Sequence, residues 1–122
     1  MPDFGLKDDD LISVTNTLRN DPQILGAAIF GSRAKGDYKP WSDVDIVLYG
    51  NLNFYDVERV VSDLEELPLV YKFDVVAYQL VKNPEFRRHI DRIAVRMYEK
   101  GTYSPEEFRG GDKMKKPNPV KE

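Results

Sequence analysis

Apolar and polar positions alternate along the chain in blocks that predict its elements. Leu11, Val14 and Leu18 recur at helical spacing over residues 8–19. Asp8, Asp9 and Asp10 precede them, at the end where the helix dipole favours acids, and read as capping and solvated charge. Asp21-Pro22 closes that helix. A continuous apolar run, Ile24 to Phe30, predicts a buried strand over residues 23–30, with Gly26, Ala27 and Ala28 small enough for close packing. Residues 31–42 carry Gly36, Asp37 and Pro40 and read as a loop. Over residues 43–49, Val44, Ile46 and Leu48 alternate with Asp43 and Asp45, which predicts a second strand with its acids on one face. Gly50-Asn51 breaks it.

Val57, Val60, Val61, Leu64 and Leu67 form the apolar stripe of a helix over residues 54–67, which Pro68 stops. Its acids, Asp56, Glu58, Asp63, Glu65 and Glu66, read as a solvated face. Residues 70–78 predict a third strand whose one acid is Asp74. Asn83-Pro84-Glu85 combines a cap, a first-turn proline and an acid, and starts a helix expected to run to about residue 100, where Gly101 closes it. Phe86, Ile90, Ile93, Ala94 and Met97 are its apolar stripe; Arg88, Arg92 and Arg96 recur on another face. Three strands alternating with helices predict a small α/β domain. Its sheet is expected to be mixed and twisted, with helices covering one face and the acids on the other, more open face. Residues 1–103 form this domain in our reading. Residues 104–122, with three prolines and two adjacent glycines, are expected to be a flexible tail.

The chemistry lies between residues 30 and 47. Carboxylates set side by side, as Asp43 and Asp45 are expected to be, repel each other unless a cation lies between them, and oxygen-only ligands suit a hard ion such as magnesium. Asp74 sits inside an apolar strand, where a carboxylate is costly unless paired or metal-bound. A salt bridge to Lys72 is one reading; a third metal ligand beside Asp43 and Asp45 is the favoured one. Gly31 follows the first strand and lets backbone approach a ligand closely. Its N–H, with the hydroxyl and N–H of Ser32, suits phosphate oxygens. Together these features suggest metal-assisted phosphoryl or nucleotidyl transfer.

The run Gly31-Ser32-Arg33-Ala34-Lys35-Gly36, followed by Ser42-Asp43-Val44-Asp45-Ile46-Val47, resembles the signature of the DNA polymerase beta-like nucleotidyltransferases. Within them the chain is most similar to the minimal nucleotidyltransferases, the MntA-like antitoxins of HEPN/MNT pairs, over about residues 8–101. The resemblance implies two-metal catalysis, with Asp43 and Asp45 bridging two magnesium ions about 4 Å apart, Asp74 on one of them, and manganese as a substitute. It implies ATP as substrate, its phosphates on Gly31 and Ser32. It also implies AMP transfer to a hydroxyl of a HEPN-domain toxin. Arg33, Lys35 and Lys39 are candidates to meet the triphosphate, Arg33 foremost. Trp41 is expected as a packing residue or loop anchor, and His89, the sole histidine, as a surface residue.

Composition narrows the classes. The 122 residues fit one domain, and 41% hydrophobic content is ordinary for a globular chain. A net charge of −3 gives no reason to expect nucleic acid as the main partner. The absence of cysteine excludes disulfides, thiolate chemistry and Cys-type zinc sites. No run is long enough to span a membrane and the first residues form no secretion signal, so a cytoplasmic protein is expected. A calcium loop is excluded, because Asp43-Val44-Asp45 runs into an apolar strand. A P-loop is excluded because no Gly-Lys-Ser/Thr follows the glycines. A non-catalytic module that occludes a HEPN partner, and transfer to a small molecule or an RNA end, are the alternatives.

Overall fold

In a computed structural model of the chain, residues 4–101 are described. A four-stranded mixed sheet runs in the order β3-β2-β1-β4, with β1 at Gly26–Phe30, β2 at Val44–Tyr49, β3 at Phe73–Ala77 and β4 at Val95–Glu99. β1 pairs antiparallel with β2 and with β4, whereas β2 and β3 run parallel. The helices are α1 (Asp8–Arg19), α2 (Ser32–Lys35), α3 (Phe54–Glu65) and α4 (Pro84–Ile93), with a 3-10 turn at Tyr78–Leu80.

The main core lies on one face of the sheet. Ala27, Ile29, Val44, Ile46 and Leu48 pack there against Val14 and Leu18 of α1 and Val60 and Leu64 of α3. The expected stripes of both helices face inward. Phe4 and Leu6 join this core from the segment before α1; neither lies in a periodic run, so the pattern did not reveal them. The opposite face holds Ala28, Phe30, Val47 and Tyr49, packed with Tyr78 and Ile90 of α4.

The start of α4 follows the sequence, whereas α1 begins after Lys7 with no side-chain cap, its three aspartates lying in the first turn. Asn83 accepts hydrogen bonds from the Glu85 and Phe86 N–H groups at 2.8 and 3.2 Å, with Pro84 in the first turn. Asn53 and Asp56 form a reciprocal capping box, each accepting from the other's N–H at 2.9 Å. Asp56 is therefore buried and bonded, not part of a solvated face, and its N–H bond from Asn53 holds its pKa below the usual value.

The largest correction is at the end of the domain. The helix expected to run to residue 100 stops at Ile93, Ala94 is extended, and residues 95–99 form an edge strand. Ile93 and Met97, four apart, extend the helical stripe into what is a strand, and that strand carries a β-bulge. Ile29 faces Val95 and Ala27 faces Tyr98, so the register slips by one residue between Ala27 and Ala28. Val95 and Tyr98, three apart, thus reach the same core. Arg96 lies on β4, paired with Glu99, so Arg88, Arg92 and Arg96 do not form one helical stripe. The expected tail, 104–122, lies outside the described residues. Among the described residues no helix is long and apolar enough to cross a membrane.

Candidate active site

One end of the sheet gathers the chemistry. β1 ends there at Phe30, opposite Asp45 near the start of β2. Asp45 is in turn paired with Asp74 of β3. In-register neighbours on adjacent strands point to the same face. Asp45 and Asp74 therefore share the second face of the sheet with Val47, Tyr49 and Val76, beyond the part occupied by α4. Asp43 precedes β2 by one residue and is exposed, as is Asp74; Asp45 is half-buried.

The three acids lack protein partners among the described residues. Among the described residues, none of Asp43, Asp45 and Asp74 makes an ion pair or a side-chain hydrogen bond, so the alternative of an Asp74–Lys72 salt bridge is not realised. Burial pushes the Asp45 carboxyl up from 3.8 to about 6, reinforced by the charges of Asp74 and then Asp43, and opposed by Arg33. An all-oxygen donor set whose members repel one another is the chemistry that a hard divalent cation relieves. The carboxylates do not converge into a closed ligand shell unaided; a cation would have to draw them together.

Gly31 fits against this group. Its φ of 72° lies in the left-handed region, and a Cβ there would land on the Asp45 carboxylate, 3.0 Å from its Cγ. No other residue lets the chain turn this closely over an acid. The turn opens α2, a short helix in the segment read as a loop. The Ala34 and Lys35 N–H groups donate to the Gly31 carbonyl at 3.1 Å, and the Gly36 N–H donates to that of Ser32 at 2.8 Å. Ser32 stands at the first position of α2, and its hydroxyl makes no hydrogen bond among the described residues. Gly31, Ser32, Asp43, Asp45 and Asp74 are thus brought to one end of the sheet.

Arg33 is placed otherwise. Its side chain is 3% exposed. Nη1 donates to the Phe4 carbonyl at 2.9 Å, Nη2 to the Ser42 and Pro40 carbonyls at 2.9 and 3.3 Å, and Nε to Ser42 at 3.2 Å. The guanidinium also lies over the Tyr38 and Tyr71 rings. The Arg33 side chain, expected to meet a triphosphate, has its donors on these carbonyls and braces the loop and the N-terminal segment. Lys35 sits 3.6 Å from Asp37, and Lys39 is exposed. Trp41, expected to pack or to anchor the loop, is 78% exposed. His89 is half-buried against Phe86, with ring centroids 6.5 Å apart.

Comparison with known proteins decides the family. Residues 13–102 match the family model for polymerase beta nucleotidyltransferases. The chain belongs to the polymerase beta nucleotidyltransferase family. It is a nucleotidyltransferase by that membership, and the strand-end acids and the Gly31-Ser32 turn fall within the matched region. None of the curated proteins matches the sequence. Solved structures share the fold. A toxin–antitoxin structure with AMP-PNP is 18% identical, covering 78% of this chain and 75% of the other, with a TM-score of 0.61. The MntA-HepT toxin–antitoxin is 14% identical over 77% and 74%, with a TM-score of 0.59. The tri-AMPylated HEPN toxin of Shewanella oneidensis in complex with MNT antitoxin is 16% identical over 75% and 71%, with a TM-score of 0.57.

Proposed function

We propose that this nucleotidyltransferase moves AMP from ATP to a hydroxyl on a partner protein, a HEPN-domain toxin, and thereby acts as the antitoxin of a HEPN/MNT pair in the cytoplasm. The observation that carries the chemistry is the in-register pairing of Asp45 with Asp74, with Gly31 turned directly over Asp45. A phosphate-binding turn and a carboxylate cluster meet at one strand end, as a nucleotidyl transfer requires. The likeness in fold to chains of AMPylated toxin–antitoxin structures supports the choice of acceptor.

Gly31 and Ser32 hold the phosphates of ATP through their backbone N–H groups and the Ser32 hydroxyl. Asp43, Asp45 and Asp74 are the residues that would hold magnesium, or manganese in its place. Such an ion, when bound, neutralises triphosphate charge and lowers the pKa of the attacking hydroxyl. The acceptor oxygen forms a bond to the α-phosphorus in line with the bond to the β-phosphate oxygen, which breaks and releases pyrophosphate. Asp74, exposed on the edge strand, stands where it can take the acceptor's proton. The half-burial of Asp45 keeps water from one side of the reacting centre.

A non-catalytic binder has no use for three acids left without partners, one of them at a cost in charge burial. The test incubates the chain with its cognate HEPN-domain protein, magnesium and labelled ATP, then maps the label by mass spectrometry. AMP on a partner tyrosine, serine or threonine, lost with Asp43→Asn, is the expected result. A partner neutralised without label favours occlusion. Label on a small molecule or an RNA end would replace the acceptor while keeping the enzyme.

A further inference from the structure

We infer that Trp41 is the anchor on which the acceptor protein docks, an inference that rests on the AMP-transfer reading above. Trp41 is 78% exposed and Val70 is 95% exposed. Each stands four residues ahead of one of the paired acids, Trp41 before Asp45 and Val70 before Asp74. Trp41 stands two residues from Asp43, so a protein that seats this side chain is brought to the acids.

The presentation of Trp41 is rigid. The Ser42 N–H donates to the Lys39 carbonyl at 3.0 Å, closing a turn with Pro40 and Trp41 at its centre. The Lys39 N–H donates back to the Ser42 hydroxyl at 2.8 Å. Beneath them the buried Arg33 guanidinium holds the carbonyls of Pro40 and Ser42. A buried arginine is an expensive brace for a surface turn unless the turn's position matters. An anchor held in place before binding loses little freedom on binding, and tryptophan is the side chain most enriched among residues that dominate interfaces.

The shape of the site favours a protein over a nucleobase. A base is usually stacked against an aromatic that forms one wall of a cleft. Trp41 projects from the tip of a turn, which suits insertion into a pocket on the partner. Lys39 and Lys72, both exposed, flank the two apolar residues along the chain. The matching partner surface is an apolar pocket whose rim is acidic beside Lys39 and Lys72 and basic where it meets Asp43 and Asp74. A protein seated there is delivered beside Asp43, two residues on.

Trp41 is the one tryptophan of the chain. A chain labelled with 5-fluorotryptophan therefore gives a single fluorine resonance, which tryptophans of the partner cannot obscure. We expect that resonance to shift or broaden when the cognate HEPN-domain protein is added and to stay in place with magnesium and ATP alone. In the transfer assay, Trp41→Ala should raise KM for the HEPN-domain protein at least about tenfold, with KM for ATP and kcat at saturating partner within about twofold. Trp41→Phe should recover part of the loss. An unchanged KM for the partner overturns the inference and leaves the AMP-transfer reading standing. A resonance that moves with nucleotide alone, with KM for ATP raised in Trp41→Ala, overturns it in favour of base stacking. If the wild-type chain modifies no HEPN-domain protein, the AMP-transfer reading fails, and docking on Trp41 falls with it.

Discussion

Asp45→Asn is expected to make the protein more stable and inactive at once. The folded chain raises the Asp45 pKa from 3.8 to about 6, first through burial and then through Asp74 and Asp43. At full weight that difference corresponds to about 3 kcal/mol; the carboxylate is partly open to solvent, so about 1–2 kcal/mol is the expected cost of its charge. An acid whose folded pKa lies above its unfolded one binds its proton more tightly in the native state. Its contribution is thus most favourable below about pH 4 and is lost as pH rises through 6. Asparagine keeps the shape and carries no charge at any pH. At pH 7.5 in EDTA, Asp45→Asn should melt about 5–10 °C above the wild type. At pH 4 or below the two should nearly coincide. Calorimetry across this range, comparing the two chains at each pH, cancels the titration of acids distant from Asp45. Magnesium with a non-hydrolysable ATP analogue should then stabilise the wild type and leave the variant unmoved. A variant that melts at or below the wild type at every pH would refute the argument that Asp45 sits under charge strain.

Ser32→Ala should raise KM for ATP, or lower kcat/KM, by the about 1.5–3 kcal/mol of a lost hydrogen bond to a charged group, with little change in melting temperature. Gly31→Ala should cost about 1–2 kcal/mol in stability for its left-handed φ and also abolish transfer, because its Cβ falls on Asp45; retention of both would move the phosphate site elsewhere. Arg33→Gln should destabilise by about 2–4 kcal/mol by denaturant unfolding, since it strands the carbonyls of Phe4, Pro40 and Ser42. If Arg33 were instead a phosphate ligand, the loss would appear in nucleotide affinity with stability intact. Asn53→Ala should cost about 1 kcal/mol through the capping box of α3, read from the same unfolding curves.

The parts of this molecule that were legible in the sequence are those whose signal is local. Asn83-Pro84 and the stripe Val60–Leu64 specify their helices within a turn or two. The alternation of Asp43, Val44, Asp45 and Ile46 placed the acids opposite the core before any pairing was known. What remained hidden depends on contacts distant in sequence. Phe4 is buried because its ring packs into the core beside α1 while its carbonyl accepts from Arg33, 29 residues on. Ile93 and Met97 keep helical spacing across the point where the helix ends, and only pairing with β1 reveals the strand and its bulge. Charge alone suggested that Arg33 meets a ligand. Nothing in its neighbours along the chain says that three backbone carbonyls are waiting for it.

Arg33 nevertheless bears on the site without touching it. Its charge opposes the upward push on the Asp45 pKa, so it favours the ionised carboxylate that nucleotidyl transfer needs. The same guanidinium fixes the turn that carries Trp41 and leads into Asp43. Here one buried side chain holds the loop, eases the charge of the acids and sets the position of the apolar anchor. The three effects separate in one variant series. Arg33→Lys keeps the charge and loses the fork of hydrogen bonds, so it should keep much of the electrostatic support for Asp45 while loosening the turn. If transfer needs only the charge, Arg33→Lys will match the wild type in kcat. If it needs the brace as well, Arg33→Lys will lose affinity for the acceptor protein before it loses affinity for ATP.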